Sequence, residues 1–448
     1  VFGKRGFAMT RRVAVIGSGI AGLSAAWSLA SDAKVTLFEA GAHFGGHTNT
    51  VDVTLDGVTH GVDTGFLVFN HRTYPNLVRL FKELGVDTAA ADMSFSAQSL
   101  REGIEWSGAN LNGVFAQRRN LVRPAFLGML RDIARFNREA TALARRGSGI
   151  EGDPSLRQTV GEFLDRGHFG QAFREWYFLP MIGCIWSCPT DQMLRFPIAT
   201  LIRFCHNHGL IQVSDRPQWH TVRGGARHYV QKMLPRIVDA RLNTPVCAVR
   251  RAPPGSGLAG VWVQTRAGEE RFDEAVLACH SDQSLALLHA PSAAERQVLG
   301  AIRYQPNHAV LHTDAALLPR SRRAWAAWNY ERAADALNEE PRVCLHYWLN
   351  ALQPLPWATP VVVSLNPLRQ PAEATVIRRI DYSHPIFDQA AVDAQRRLPE
   401  IQGLSHLWFC GAWAGYGFHE DGLKSGLAVA DALRASWQGR ATAMEQAA

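Results

Sequence analysis

Gly17, Gly19 and Gly22 stand in the order Gly-x-Gly-x-x-Gly, and a carboxylate follows at Glu39, about twenty residues on. That combination is the chemistry of dinucleotide binding. Gly17 permits a tight turn, Gly19 lets a diphosphate approach the backbone with no Cβ in the way, and Gly22 lets a helix pack closely on a strand. Ile20 and Ala21 belong to the first helical turn, whose N–H groups face the phosphates. Glu39, followed by Ala40, accepts the hydroxyls of an adenosine ribose.

Such residues act only if a strand, a turn and a helix hold them. Val13-Ala14-Val15-Ile16 is a short β-favouring run, Leu23 to Ala30 is rich in Leu and Ala, and Lys34-Val35-Thr36-Leu37-Phe38 is a second strand ending at Glu39. The pattern predicts a βαβ unit and an α/β fold.

The chain has 448 residues, 47% hydrophobic and 19% charged, which suffices for two domains and excludes a fibre or a disordered chain. Its net charge of +7 suits an anionic partner such as a phospholipid surface; a nucleic-acid partner is not expected. Only five of the 47 basic residues are lysine, which reflects genome composition as readily as function. Seven cysteines lie scattered in apolar sequence and read as buried free thiols in a reducing compartment. Cys184-x-x-x-Cys188 with Cys205-His206-Asn207-His208 fits core packing better than a zinc cage, so no metal is expected. No apolar run of eighteen residues lacks glycine, which argues against a spanning helix. Arg11-Arg12 imitates the start of a signal peptide, but the apolar run behind it is the nucleotide-binding strand. Residues before Met9 read as an extension outside the fold. The expected location is the cytoplasm. Gln117 to Arg146, basic with Leu121, Phe126, Leu127, Leu130, Ile133 and Phe136 interleaved, is either a helix packed on its own domain or a peripheral contact with an anionic membrane at its inner face.

Beyond Glu39 come Gly45-Gly46-His47, Gly61-Val62-Asp63-Thr64-Gly65-Phe66, Thr221-Val222-Arg223-Gly224-Gly225-Ala226, Pro245-Val246, Phe409-Cys410-Gly411-Ala412-Trp413 and Glu420-Asp421-Gly422-Leu423-Lys424-Ser425-Gly426. In these motifs and their order the sequence resembles the flavin-containing amine oxidase and phytoene desaturase superfamily, over nearly its whole length. The resemblance implies FAD as cofactor. Gly45, Gly46 and His47 would then form the turn under the diphosphate, Gly65 and Phe66 would lie beside the flavin, and the backbone at Val246 would read adenine. Gly411, Ala412, Asp421, Gly422 and Leu423 would lie at the closing helix, whose N-terminus faces the flavin. It also implies an interleaved fold: an FAD-binding Rossmann-like domain from residues 9–90, 215–300 and 403–436, and a mixed α+β substrate domain from 91–214, mostly helical, and 301–402, which carries strands.

Departures from the family pattern carry information. The arginine of its Gly-Gly-Arg turn is His47 here, a protonatable donor to phosphate or else a histidine bonded to a loop carbonyl. The lysine that amine oxidases place near flavin N5 is missing, since no lysine occurs between Lys232 and Lys424 and the corresponding stretch, Tyr304 to His312, offers His308. The tethering cysteine of monoamine oxidases has no counterpart in Asp381-Tyr382-Ser383-His384-Pro385-Ile386-Phe387, so FAD is expected to be non-covalent. The residue three before the helix glycine, a wall of the family's aromatic cage, is His419, with Tyr416, Phe418 and Trp413 close by. Its imidazole is either a proton acceptor or a cap; His308 and His384 are the other candidate bases. Trp176 to Trp186 and Tyr347-Trp348-Leu349 line an apolar tunnel or form plain core.

The expected enzyme moves a hydride from a substrate carbon to flavin N5, with O₂ as acceptor. His47, Asn350-Ala351-Leu352-Gln353 and Gly417 to Gly422 resemble a bacterial subgroup that includes the fatty-acyl desaturase of the furan fatty acid pathway. This points to a lipid or lipophilic substrate, a methylated unsaturated acyl chain. The alternatives are amine oxidation to an imine with release of hydrogen peroxide, and a flavin-binding regulatory protein without turnover.

Overall fold

The computed structural model describes residues 11–146, 158–186, 190–211, 216–252, 259–332 and 344–447. Arg12–Ile16 is buried from Val13 onward and runs parallel to Lys34–Phe38 on one side and Glu274–Leu277 on the other. Asp239–Arg241 and Leu407–Phe409 add the outer strands, so one five-stranded parallel sheet gathers segments from both ends of the chain. The fold is α/β, with a Rossmann-like sheet.

Helix Ile20–Leu29 lies against the closing helix His419–Ala447. Ser24 Oγ donates to the Leu423 carbonyl at 3.3 Å. A Cβ on Gly422 would sit 2.7 Å from Ile20 Cγ2, and one on Gly426 2.1 Å from the Ala21 carbonyl oxygen. These glycines permit the close helix crossing. The backbone of the closing helix continues past Gly439 to Ala447, where the sequence suggests fraying.

A second, seven-stranded sheet runs in the order Val376–Pro385, Tyr304–His312, Val362–Leu365, Cys344–Trp348, Trp328–Arg332, Phe95–Ser99, Ile104–Ser107. The last two strands lie in a stretch predicted to be mostly helical. They are short and partly polar, and what holds them is pairing to the distant Trp328–Arg332 and to each other. Helices Pro124–Ala144, Leu179–Trp186 and Ile198–Asn207 lie in the same stretch. A π-helical turn over Arg174–Phe178 precedes the second of these. Pro180 has no N–H for the Trp176 carbonyl four residues back. The Trp106 indole N–H donates to that oxygen instead, at 3.0 Å.

Asp63, at the end of strand Val58–Asp63, joins the pieces. Its buried carboxylate accepts from Thr50 Oγ1 at 2.5 Å, from the Ala226 N–H at 2.9 Å and from Gln353 Nε2 at 2.9 Å, while its own N–H donates to Gln353 Oε1 at 3.0 Å. Burial pushes its carboxyl up to about 7, against the lowering effect of these bonds. Asp63→Ala leaves three donors without an acceptor and is expected to cost about 3 kcal/mol or more in urea unfolding. Asp63→Asn, which keeps the shape and one acceptor oxygen, is expected to cost less; equal losses would show that packing, not these bonds, sets the effect.

Candidate active site

A cavity of about 780 Å³ is lined by residues of both sheets and both long motif regions. Gly17, Gly19, Ile20, Ala21, Glu39, Ala40, Gly45, Gly46 and Val246 lie on its walls at one end. A Cβ placed on Gly19 would meet nothing within 4 Å, so this glycine faces the open cavity rather than protein. Gly22 is different, because its Cβ would sit 1.9 Å from the Gly17 carbonyl oxygen. Glu39 is held in place: Oε2 accepts from the Ser18 N–H at 3.0 Å and its hydroxyl at 2.5 Å, and Oε1 from the Gly41 N–H at 2.7 Å. Gly41, where the family has an arginine, thus contributes a backbone donor. Carboxylate oxygens accept more than one bond each, leaving capacity for a ribose.

The cavity wall also includes His47, Gly65, Phe66, Gly411, Ala412, Tyr416 and His419. The His47 ring is stacked on Tyr382 at 4.8 Å and lies 5.2 Å from His384; its Nε2 is buried with no partner. The loop-carbonyl bond foreseen for this ring does not form. Burial first, then the neighbouring imidazoles of His384, His280 and His419, hold its pKa well below the usual histidine value. His47 is therefore a neutral group at neutral pH, and its Nε2 is left for a ligand.

His384 has a determined tautomer. The His308 N–H donates to Asn366 Oδ1 at 2.8 Å, which leaves Asn366 Nδ2 to donate to Asn307 Oδ1 at 2.7 Å. Asn307 Nδ2 then donates to His384 Nδ1 at 2.8 Å, so the proton of this neutral ring sits on Nε2. Burial pushes its pKa down to about 4.

His419, the first residue of the closing helix, is stacked on Phe66 at 3.8 Å, with Nε2 2.7 Å from the Tyr229 hydroxyl. That hydroxyl is 2.5 Å from Thr48 Oγ1. Burial lowers the His419 pKa to about 3, so desolvation keeps the ring neutral.

Several predicted residues lie elsewhere. His308 is a correction: on its strand the inward positions are Asn307, Ala309 and Leu311, while the His308 side chain is 69% exposed and bonded to Asp381 at 2.5 Å. Asp421 does not line the cavity. Its carboxylate accepts from the Phe418 N–H at 3.0 Å and fastens the turn before the helix, with burial raising its pKa to about 6. Gly22, Gly422 and Leu423 likewise serve helix packing and not the cavity wall. Glu420 accepts from the Asn76 and Leu77 N–H groups and caps helix Pro75–Leu84. Among the cysteines Cys247 is exposed rather than buried, and Cys188 lies outside the described residues. His208 stacks on Phe204 at 3.9 Å and bonds to its carbonyl at 2.9 Å.

Sequence reasoning missed Tyr382, whose hydroxyl is 2.9 Å from Thr64 Oγ1 and accepts from Asn49 Nδ2 at 3.1 Å, and His280, stacked on Tyr304 at 4.3 Å. Alternation along Val376–Pro385 would have placed Tyr382 and His384 on one face. The far end of the cavity is apolar, with Met93, Phe95, Met181, Ile185, Trp328 and Tyr347 on its walls. Part of the Trp176 to Trp186 segment is therefore cavity wall and part is core. Glu39 is the only Asp, Glu, Lys or Arg among the described residues lining this cavity. A smaller one of about 230 Å³ shares Trp186, Phe387 and Tyr416 with it.

A glycine-rich turn at the end of a parallel strand, opening on a deep cavity, defines a dinucleotide-dependent protein of the Rossmann-like class. Residues 20–313 match the flavin containing amine oxidoreductases, and the chain belongs to that family: it is an FAD-dependent oxidoreductase. No curated protein sequence matches it. Cyclohexylamine oxidase from Brevibacterium oxydans IH-35A has the same fold, with a TM-score of 0.66 and 15% identity over 95% of this chain and 100% of that one. The CLA-producing fatty acid isomerase from P. acnes does too, with a TM-score of 0.64 and 14% identity over 95% and 98%. Putrescine oxidase bound to putrescine gives 0.66 and 15% over 95% and 99%. The residues fit FAD on three counts: the open face at Gly19, the oriented Glu39 carboxylate and the unpartnered Nε2 of His47.

Two expectations follow. Gly19→Val should fold normally by circular dichroism yet purify without FAD, whereas acid should release intact FAD from the parent protein. Gly22→Val should not fold, because its clash is with backbone. FAD bound at full occupancy in Gly19→Val would remove the open face from the argument. The second concerns pH. Seven histidines, including His208, His312 and His384 at about 4, titrate lower in the folded chain than in the unfolded one. The unfolded chain is then the better proton binder below about 6.5, so stability falls as pH falls from there toward about 4. Asp63 and Asp421, with raised pKa values, oppose this between their folded values and about 4, and His346, raised to about 9, opposes it as pH falls to about 6.5, but they are outnumbered. The thermal midpoint should drop between pH 7 and about 5; a rise would contradict the neutral-histidine assignment.

Proposed function

We propose that this oxidoreductase desaturates an apolar acyl chain, a methylated unsaturated fatty acyl group in free or phospholipid-linked form. The observation that carries the reading is the far end of the cavity, which is built mostly from aromatic and aliphatic side chains with no Asp, Glu, Lys or Arg among its described lining residues. An ammonium substrate held there would be desolvated with no carboxylate beside it, at a cost of several kcal/mol; a hydrocarbon chain loses only water. The aromatic walls would also accept an amine in its neutral form, which keeps amine oxidation as the second reading. Both a fatty acid isomerase and amine oxidases share the fold, so the fold does not choose between them.

FAD, when bound, supplies the acceptor for a hydride leaving a substrate carbon, with O₂ the proposed final oxidant. The protein's part is to hold the chain, exclude water and remove the second hydrogen as a proton. His419 is the proposed acceptor, at Nδ1, in the arrangement where Nε2–H donates to the Tyr229 oxygen and Tyr229 donates on to Thr48. Burial keeps the ring neutral, with a ring nitrogen free to accept a proton. His384 cannot take that role with Nε2 already protonated; it presents a donor.

The test is anaerobic mixing of the holoprotein with a methylated monounsaturated phospholipid, following flavin bleaching and the diene product by mass spectrometry. Bleaching is expected with the lipid and not with benzylamine or spermine; fast reduction by the amines alone would favour the second reading. His419→Phe should keep the flavin spectrum while reduction by the lipid slows about 10²–10⁴-fold. An undiminished rate would leave His419 as a packing partner of Phe66.

A further inference from the structure

Nine large apolar side chains are exposed among the described residues, and five of them fall between positions 100 and 127: Leu100, Leu111, Leu121, Val122 and Leu127, with Leu111 at 78% and Val122 at 81% exposure. They are neighbours in space as well as in sequence. Arg119 donates to the Gly103 carbonyl and Arg123 to the Glu102 carbonyl, which ties the turn around Leu100 to the 3₁₀ turn Arg118–Val122. Arg118 Nη2 donates to Asn112 Oδ1 at 3.0 Å, which adds the short helix Leu111–Val114. Leu127, Arg131 and Arg138 then continue as one exposed stripe on helix Pro124–Ala144.

The charge of this face has one sign. Arg101, Arg118, Arg119 and Arg131 are exposed on it, and Arg320, Arg322 and Arg323 border it, since the Arg320 and Ser321 N–H groups bond to Glu105. The acids of residues 100–132 are turned inward. Glu105 is consumed by those two N–H groups, Asp132 is buried and accepts from the Gly170 N–H at 2.9 Å, and Glu102 is drawn to Arg332. Protruding aliphatic side chains set among arginines, with the carboxylates withdrawn, match a surface that is anionic outside and hydrocarbon beneath. The face lies close to the cavity, because Phe95 on the cavity wall packs edge-on against Trp106, and Trp106 against Phe126 at the start of the exposed helix.

We propose that this face docks on an anionic phospholipid bilayer, with Leu121 and Val122 entering the acyl boundary and the arginines contacting headgroup phosphates. Among the described residues no helix is long and apolar enough to cross a membrane, so the contact is peripheral. The proposal stands on the surface alone and does not depend on the substrate reading.

The test is sedimentation of the FAD-loaded full chain with vesicles of phosphatidylcholine, with and without phosphatidylglycerol, at low and high salt. Binding is expected only with phosphatidylglycerol, weaker at high salt. Leu121→Asp/Val122→Asp and Arg118→Glu/Arg131→Glu should each weaken it by at least about tenfold while flavin absorbance and circular dichroism stay unchanged. None of these four residues lines the cavity. No binding by the parent protein, binding independent of lipid charge, or undiminished binding by both folded double variants would overturn the proposal. So would a parent dimer that Leu121→Asp/Val122→Asp converts to monomer, since the face would then be covered by a second copy.

Discussion

The carboxylate of Asp63 is the constraint on which the rest of the molecule depends. It receives donors from the strand at Thr50, from the turn at Ala226 and from Gln353 beyond the second sheet. The same junction is sterically closed: a Cβ on Gly61 would sit 2.4 Å from the Gly224 carbonyl oxygen, and one on Gly225 2.4 Å from Thr50 Cγ2. A buried acceptor of this kind is costly unless every donor arrives, so it makes the three segments interdependent. Gly65 and Phe66, two and three residues on, take their place on the cavity wall as a result.

Electrostatics of the cavity follow from burial more than from fixed charge. Histidines line it, and each whose pKa moves is pushed down, first of all by desolvation. Phosphate charge at the glycine end would therefore meet backbone N–H groups and neutral imidazoles, with no guanidinium among the described residues that line the cavity. Helix N-termini are suited to that task, and the departures at Gly41 and His47 are consistent with a site that leans on them. Once one of these five rings is charged, a proton on a neighbouring ring is disfavoured, which keeps the set from filling with protons together.

Much of this was legible in the sequence, and what was missed has physical causes. The glycine fingerprint, the two strands and Glu39 are local signals, and local geometry alone decides them. His308 failed because strand alternation assigns its neighbour Asn307 to the inside, and a shift of one residue exchanges the faces. Asp421 and Gly422 carry the family's motif but act on the turn and on helix packing, a distinction that only the partner atoms reveal. Tyr382 could have been found by alternation with His384, but His280 and Trp328 come from segments far apart in the chain, and nothing in their immediate neighbours marks them as members of one cavity. Phe95–Ser99 exists because the distant Trp328–Arg332 accepts it, and Ile104–Ser107 because Phe95–Ser99 does; pairing to a distant strand leaves almost no periodic trace.

The order of strands in the parallel sheet bears on how the molecule is made. Leu407–Phe409 completes the edge next to Glu274–Leu277, and the helix beginning at His419 covers Ile20–Leu29. Both are synthesised several hundred residues after the glycine-rich turn. Until they leave the ribosome, the nascent chain shows an unpaired strand edge and an uncovered apolar helix face, the features that chaperones recognise. The cavity wall at Gly411, Ala412 and Tyr416 is missing over the same interval. The complete cavity wall is therefore available only once the C-terminal segment has been made.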